Sequence, residues 1–154
     1  MSEYTTVPSG STTATDTAPT VDAVVFDLGG VLVDWNPRYL YRKIFSTEAE
    51  VEDFLGRVCT AEWNQEQDRG RPWAKAVKLL QAQFPQYADE IAAYHLRWPE
   101  MLNGELPESV ALLEQLRREP VRLLALTNWS AETFPVARER FAFLQWFEDI
   151  IVSG

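Results

Sequence analysis

The hydrophobic pattern changes along the chain from a short apolar run to helical spacing and back to short runs. Three mostly apolar runs, at 24–26, 121–126 and 149–152, are too short for helices and rich in Val, Ile and Leu. Such runs are typical of buried parallel strands. Between them, apolar residues recur three and four positions apart, which predicts amphipathic helices. Strands that alternate with helices indicate right-handed crossovers, and hence an α/β fold with a parallel sheet.

The segment 36–104 is predicted to be helical throughout, with about four short helices and no strand. Asn36 and Pro37 are typical of a helix start, with Asn36 as the N-cap. Thr47 and Glu50 have the spacing of a capping box at the start of the next helix. We expect this unit to be inserted after the first strand and to cover whatever that strand's end binds.

The chain is predicted to have three parts. Residues 1–20 are dominated by Ser and Thr and lack the basic start and apolar middle of a signal peptide, which predicts a disordered tail. Residues 21–35 and 105–154 are predicted to form the α/β core, and residues 36–104 its helical cap.

Composition narrows the classes of function. With 154 residues, 46% of them hydrophobic, the chain is long enough for one core. Its net charge of −9 argues against binding to nucleic acid or to an anionic membrane surface. No apolar stretch is long enough for a membrane span. A single cysteine, Cys59, excludes an internal disulfide and predicts a reducing, cytoplasmic location.

The residues with chemical potential are concentrated where two predicted strands end. Asp27 directly follows the first strand and is followed by Gly29 and Gly30. A carboxylate there is costly unless it is used or paired, and two glycines let the backbone turn and present N–H groups to an anion. Thr127 and Asn128 follow the second strand and supply uncharged donors for a phosphate oxygen. Because ligands bind beyond the carboxyl ends of parallel strands, these residues predict one site.

Structural interpretations compete with the functional ones. Asp27 can simply cap a turn that the two glycines make. A tryptophan at helical spacing is usually part of a core, and a lone arginine is usually a solvated side chain. The same reasoning favours structural roles for a histidine and a cysteine without partners. The cap residues weighed in this way are Arg38, Cys59, Trp63, Gln67, His95 and Trp98.

Two motifs and the insert between them resemble the haloacid dehalogenase superfamily, in its phosphatase-like branch with a helical cap after the first strand. The motifs are Phe26-Asp27-Leu28-Gly29-Gly30-Val31-Leu32-Val33-Asp34 and Leu126-Thr127-Asn128. The resemblance covers 24–154 and implies a Rossmann-like parallel sheet core. It also implies that Asp27 attacks phosphorus to form an aspartyl-phosphate, which water then hydrolyses. Asp27 and the backbone carbonyl of Gly29 would bind Mg²⁺. Gly30, Thr127 and Asn128 would bind the substrate phosphate.

The chain departs from the family pattern in two ways. The family's usual second aspartate, a general acid and base, would stand at Gly29. The lysine of the third motif and the acids of the fourth would follow the third strand, and no lysine follows Lys78. These departures predict a truncated member whose first strand lies at the sheet edge, where a protein partner would cover it.

Three functions therefore stay open at the level of the sequence. The leading one is a Mg²⁺-dependent phosphatase that acts on a small phosphorylated metabolite. The second is a non-catalytic remnant or interaction module that needs a partner. The third is a metal-independent 2-haloacid dehalogenase that attacks carbon through the same Asp27.

Overall fold

The computed structural model describes residues 21–154, and the predicted disordered tail at 1–20 lies outside the described residues. The elements in chain order are β1 (Ala23–Phe26), β2 (Val33–Trp35), α1 (Arg38–Tyr41), α2 (Glu48–Arg57), α3 (Ala61–Asp68), α4 (Trp73–Gln83), α5 (Ala88–Leu96), β3 (Leu102–Glu105), α6 (Pro107–Leu116), β4 (Arg122–Thr127), α7 (Phe134–Arg140) and β5 (Asp149–Val152). Short 3₁₀ segments lie at Pro85–Tyr87, Trp98–Met101 and Ala142–Trp146.

A parallel sheet of three strands, in the order β1-β4-β5, forms the core. Val25 pairs with Leu124 across the first interface, and Leu126 pairs with Ile151 across the second. All three strands predicted from the sequence are present, and β1 is an edge strand within the described part of the chain. The predicted α/β fold with a parallel sheet is therefore confirmed.

The insert between β1 and β4 is not purely helical, so the prediction of no strand in 36–104 is wrong. Strands β2 and β3 pair antiparallel at its base, with Asp34 opposite Gly104 and an irregularity between Asp34 and Trp35. The expected break at Asn103-Gly104 is thus part of β3. The cause is a contact between segments about seventy residues apart, which neither strand's short local pattern reveals. The chain enters and leaves the cap through this two-stranded ribbon.

The start of α2 agrees with the sequence-based prediction, whereas α1 begins at Arg38 with Pro37, and not Asn36, at its N-cap position and without a side-chain cap. The side chain of Asn36 accepts a hydrogen bond from the Arg38 N–H at 3.0 Å, ahead of α1. Thr47 and Glu50 form the predicted capping box of α2, with side chain and backbone bonded reciprocally. Aromatic side chains fill the centre of the cap, and the rings in contact there include Tyr41, Phe54, Trp63, Trp73 and Tyr94.

One face of the sheet is packed against the core, and the other is open and apolar. Val25, Leu126 and Ile151 are 58%, 53% and 59% exposed, and they lie on neighbouring strands. Among the described residues none covers these side chains. Within 21–154 no helix is both long enough and apolar enough to cross a bilayer.

Candidate active site

Asp27 lies directly beyond the carboxyl end of β1, and it is exposed. One carboxylate oxygen, Oδ1, accepts a hydrogen bond from the Leu28 N–H at 2.7 Å. No other hydrogen bond to this carboxylate is formed within residues 21–154. The second oxygen is thus free to act as a nucleophile or as a metal ligand.

The glycine turn after Asp27 is tight, and backbone N–H groups within it donate to carbonyls of the same turn. Gly30 has a φ of 74°, which favours glycine. Its N–H donates to the Val33 carbonyl at 2.9 Å, and the Leu32 N–H donates to the Leu28 carbonyl at 2.8 Å. The N–H of Gly30 is therefore already paired within the turn. Phosphate binding by Gly30 stays a prediction.

Thr127 and Asn128 leave the sheet next to Asp27. Phe26 pairs with Ala125, so the chains that continue to Asp27 and to Thr127 run side by side at the same edge. Thr127 is buried, and its hydroxyl Oγ1 has no hydrogen-bond partner. Asn128 is exposed. The structure thus brings together the residues that the two motifs contribute.

A cavity of about 60 Å³ separates this edge of the core from the cap. This volume exceeds the roughly 15 Å³ that one water requires, so a small polar group can enter. The core contributes the glycine turn and the loop after β4, whereas the cap contributes α3, the 3₁₀ segment after α5 and the end of β2. The lining residues used below are Gly29, Trp35, Asn64, Asp68, Trp98 and Asn128, together with Trp129.

Tryptophans form much of the cavity wall. The rings of Trp98 and Trp129 are 5.5 Å apart between centroids, one from the cap and one from the core. The indole N–H groups of Trp35 and Trp129 are buried and have no hydrogen-bond partner. The wall therefore combines apolar ring faces with buried donors that have no partner in the described chain.

Asp68 supplies the carboxylate of this wall, at the end of α3. The side chain of Asn64 donates to its Oδ2 at 3.2 Å. Burial raises the pKa of Asp68 to about 6, while a hydrogen bond from the backbone of Ser130 opposes this shift. The hydroxyl of Ser153 donates to the Asp68 backbone carbonyl at 2.5 Å and so connects α3 to the end of β5.

The loop after β4 also holds the cap in place. The indole N–H of Trp73, the first residue of α4, donates to the Ser130 hydroxyl at 3.1 Å. The backbone N–H of Trp73 donates to the Glu132 carboxylate at 3.0 Å. The start of α4 in the cap is therefore joined to the loop after β4 by these two hydrogen bonds.

The structural interpretations of the other cap residues agree with their contacts. Arg38 forms a surface ion pair with Glu52 through two nitrogens. The side chain of Gln67 donates to the Trp63 carbonyl at 2.6 Å. The ring of His95 stacks on Trp73 with centroids 5.1 Å apart. Burial raises the pKa of the Cys59 thiol to about 12, which disfavours the nucleophilic thiolate. Trp98 differs, since it is buried in the core and also lines the cavity.

The acidic residues do not gather into a metal cage. Within residues 21–154 no group of three or more His, Cys, Asp or Glu side chains lies close enough to hold an ion. Asp149 pairs with Leu124 at the start of β5, the end of the sheet opposite the site. The carboxylate of Asp27 and the carbonyl of Gly29, which the family resemblance assigns to Mg²⁺, lie two residues apart after β1.

Sequence reasoning missed Trp35, Asn64, Asp68 and Trp129 as residues of the cavity. Asn64 and Asp68 lie four positions apart on α3, one helical turn, and Asp68 directly precedes the break at Gly70. This spacing was a usable signal for a polar face at a helix end. Trp129 directly follows the second motif, which placed it near the site.

The chain is similar in sequence to one characterised phosphatase. No family model matches the chain. The chain is 29% identical over 136 residues to the sesquiterpene phosphatase astK of Aspergillus oryzae, which covers 88% of this chain and 65% of that protein. The chain thus spans 65% of the length of this curated relative.

Two solved structures show the same architecture. The HAD family enzyme BT-2542 of Bacteroides thetaiotaomicron, in its magnesium complex, aligns with a TM-score of 0.56 at 18% identity, over 86% of this chain and 68% of that one. The L-2-haloacid dehalogenase RSc1362 aligns with a TM-score of 0.57 at 22% identity, over 87% of this chain and 64% of that one. These likenesses concern the fold, a parallel sheet with an insert between its first two strands in the chain order. The chain has the fold of the haloacid dehalogenase superfamily.

Proposed function

We propose that this chain carries the nucleophile and the phosphate-binding residues of a Mg²⁺-dependent phosphatase that acts on a small phosphorylated metabolite. One observation carries the proposal. The exposed carboxylate of Asp27 and the buried, unpaired hydroxyl of Thr127 lie at the same sheet edge. A nucleophile beside donors that lack a partner is what phosphoryl transfer requires.

The relatives support this reaction class. The curated relative astK is named a sesquiterpene phosphatase. An Asp-to-Ala variant of BT-2542 has been crystallised with magnesium and inorganic phosphate, and that structure aligns over 87% of this chain. These properties belong to those proteins, and we extend them to this chain because its fold is similar to that of BT-2542 and its two motifs meet at one sheet edge.

The chain's own residues suit the reaction in two steps. A carboxylate oxygen of Asp27 attacks phosphorus, and the bond from phosphorus to the ester oxygen breaks with its electron pair on that oxygen. Water then attacks the aspartyl-phosphate and releases phosphate, which restores Asp27. Thr127 and Asn128 hold the phosphoryl oxygens, and each fixed donor of this kind can contribute about 3 kcal/mol in the transition state.

The residues present fit a magnesium ion held by few protein ligands. Mg²⁺ prefers oxygen and is commonly bound through one or two carboxylates, with waters and substrate phosphate completing its shell. The free oxygen of Asp27 and the carbonyl of Gly29 match that preference. When bound, the ion would neutralise the repulsion between the carboxylate and the phosphate.

Substitution of Asp27 by asparagine tests the proposal. We expect Asp27→Asn to abolish Mg²⁺-dependent hydrolysis of p-nitrophenyl phosphate, because the amide is a far weaker nucleophile. Asp89→Asn, which changes an exposed cap carboxylate away from the cavity, should keep wild-type turnover. Activity that survives in Asp27→Asn would refute the proposal.

The two alternatives predict different results in the same preparation. A dehalogenase would release halide from a 2-haloacid without added metal, and the release would also depend on Asp27. The similarity of the fold to that of the dehalogenase RSc1362 is the reason to include the halide assay. An interaction module would show neither phosphate nor halide release.

A further inference from the structure

The position that carries a general acid in the usual family pattern is open space in this chain. A Cβ atom built on Gly29 would meet no other atom within 4 Å, and Gly29 does not have a positive φ. The leaving oxygen of a phosphate ester needs a proton unless its conjugate acid is already strong. Some other group must supply that proton if the proposed function is correct.

We propose that Asp68, on the cap helix α3, is the proton donor to the leaving group. The proposal rests on the proposed function, because it completes the phosphatase site. Asp68 lines the same cavity as Gly29 and Asn128, opposite the sheet edge. In the described part of the chain it is the one carboxylate that lines this cavity. The cap thus replaces the acid that the core lacks.

Hydrogen bonds fix the position of Asp68 but do not join its carboxyl to Asp27 or Gly29. Asn64 orients the carboxyl through Oδ2. The Ser153 hydroxyl donates to the Asp68 backbone carbonyl and accepts a hydrogen bond from the backbone N–H of Trp129 at 3.2 Å. Within residues 21–154 no hydrogen bond joins Asp68 to Asp27 or Gly29. The carboxyl therefore has a fixed position and remains available to a ligand.

The environment of Asp68 favours the protonated form more than water does. Partial burial raises the pKa of this carboxyl to about 6, so near neutral pH a larger fraction of it carries a proton than in a solvated aspartate. The titratable group coupled to it from α5 is Tyr94, whose own pKa is raised by burial, so this neighbour is neutral at pH 7. The groups that donate hydrogen bonds to its carboxyl, the Asn64 side chain and the Ser130 backbone, are uncharged.

The proton balance closes within the site. As the bond from phosphorus to the ester oxygen breaks, the carboxyl of Asp68 gives its proton to that oxygen and becomes a carboxylate. When water attacks the aspartyl-phosphate, the Asp68 carboxylate accepts a proton from the water. Phosphate leaves, and Asp27 and Asp68 return to their starting forms. Neither an oxidant nor a second substrate is needed.

The experiment compares two aryl esters in the full chain with Mg²⁺. Phenyl phosphate releases a phenol whose pKa is near that of tyrosine, about 10, whereas the nitrophenol of p-nitrophenyl phosphate is a stronger acid and needs less protonation. We expect Asp68→Asn to lower kcat/KM for phenyl phosphate by about 100-fold or more and to lower it for p-nitrophenyl phosphate by less than about 10-fold. Asp89→Asn should change neither value.

Thermal unfolding separates this role from a structural one. Between the unfolded pKa of about 3.9 and the folded value near 6, the folded protein binds more protons at Asp68, so this group's contribution to stability falls as pH rises. Asp68→Asn should therefore unfold at a higher temperature than wild type at pH 7, and the difference should vanish near pH 4. If Asp68 instead stabilised the fold, Asp68→Asn would unfold at a lower temperature than wild type at pH 7.

A second variant tests the role independently. Gly29→Asp places a carboxyl in the open space beside Asp27, and in the Asp68→Asn background it should restore part of the phenyl phosphate activity. Equal losses on both esters in Asp68→Asn, or no loss on either, would overturn the proposal while Asp27→Asn still established the phosphatase. If wild type hydrolyses neither ester, the proposed function itself fails, and the role of Asp68 fails with it.

Discussion

Thr127 carries a hydroxyl that contributes nothing to the fold as described. It is buried at the end of the central strand, and its Oγ1 has no partner. A buried polar group without a hydrogen bond costs about 1–3 kcal/mol, so such a group is expected where a ligand supplies the missing bond. The indole N–H groups of Trp35 and Trp129, at the cavity, are likewise buried without a hydrogen-bond partner. At the level of single residues, the candidate site is marked by buried polar groups that have no hydrogen-bond partner in the described chain.

Replacement of Thr127 should separate stability from activity. We expect Thr127→Val to raise the free energy of unfolding by about 1 kcal/mol and to lower kcat/KM for phosphate esters by roughly 100-fold. Thr127→Ser should keep most of the activity. The matched control is Thr133→Val, since the hydroxyl of buried Thr133 donates to the Ser130 carbonyl and its loss should destabilise the fold. A Thr127→Val protein that is both less stable and fully active would contradict this account.

The loop after β4 joins cap and core through a few polar contacts to α4. Helix α4 begins at Trp73 after a proline and has no N-cap side chain of its own. Glu132, from the core, accepts the hydrogen bond of its first backbone N–H, and the negative charge suits the positive end of the helix dipole. One element of the cap is thus capped by a residue of the core, and this couples the two units.

Loss of this contact should loosen the cap. We expect Glu132→Ala to lower the free energy of unfolding by about 1 kcal/mol, as the loss of an N-cap does elsewhere, measured by urea denaturation. Glu114→Ala, which removes an exposed ion pair with Arg118, should change it by less than about 0.5 kcal/mol. Equal effects of the two substitutions would show that Glu132 is only a surface residue.

Within residues 21–154 the molecule presents a sheet with one uncovered face. Edge strand β1 leaves backbone groups unpaired, and Val25, Leu126 and Ile151 form an apolar surface on the face that no described residue covers. Exposed apolar strands of this kind promote association between chains. The sequence-based prediction of a partner that covers this edge stays a prediction, but the surface it requires is present.

Polar substitutions on this face should reduce self-association. We expect the double variant Val25→Thr and Ile151→Thr to show a larger monomer fraction than wild type in size-exclusion chromatography. Threonine keeps the β-branched shape that suits a strand and removes apolar surface. Leu126 is left unchanged because it precedes Thr127. An unaltered elution profile would mean that another surface drives association.

Local patterns were sufficient for much of the fold and for half of the site. Asp27 and Thr127 were predicted because each follows an apolar run directly, and the position of a strand end depends on neighbouring residues in the chain. The parallel arrangement followed from alternation of strand and helix. The capping box of α2 was predicted from two residues three apart, and it is present.

The cap's part of the site could not be read from local patterns. The pairing of β2 with β3, and the meeting of Asp68 with Gly29 in one cavity, join segments separated by tens of residues. The burial that raises the pKa of Asp68 is a property of the folded surroundings and not of α3 alone. Short-range spacing in the chain specified the three strands of the parallel sheet and the position of Asp27 at the end of β1. Long-range packing of the cap on the sheet edge brings Asp68 to the cavity that Gly29 also lines.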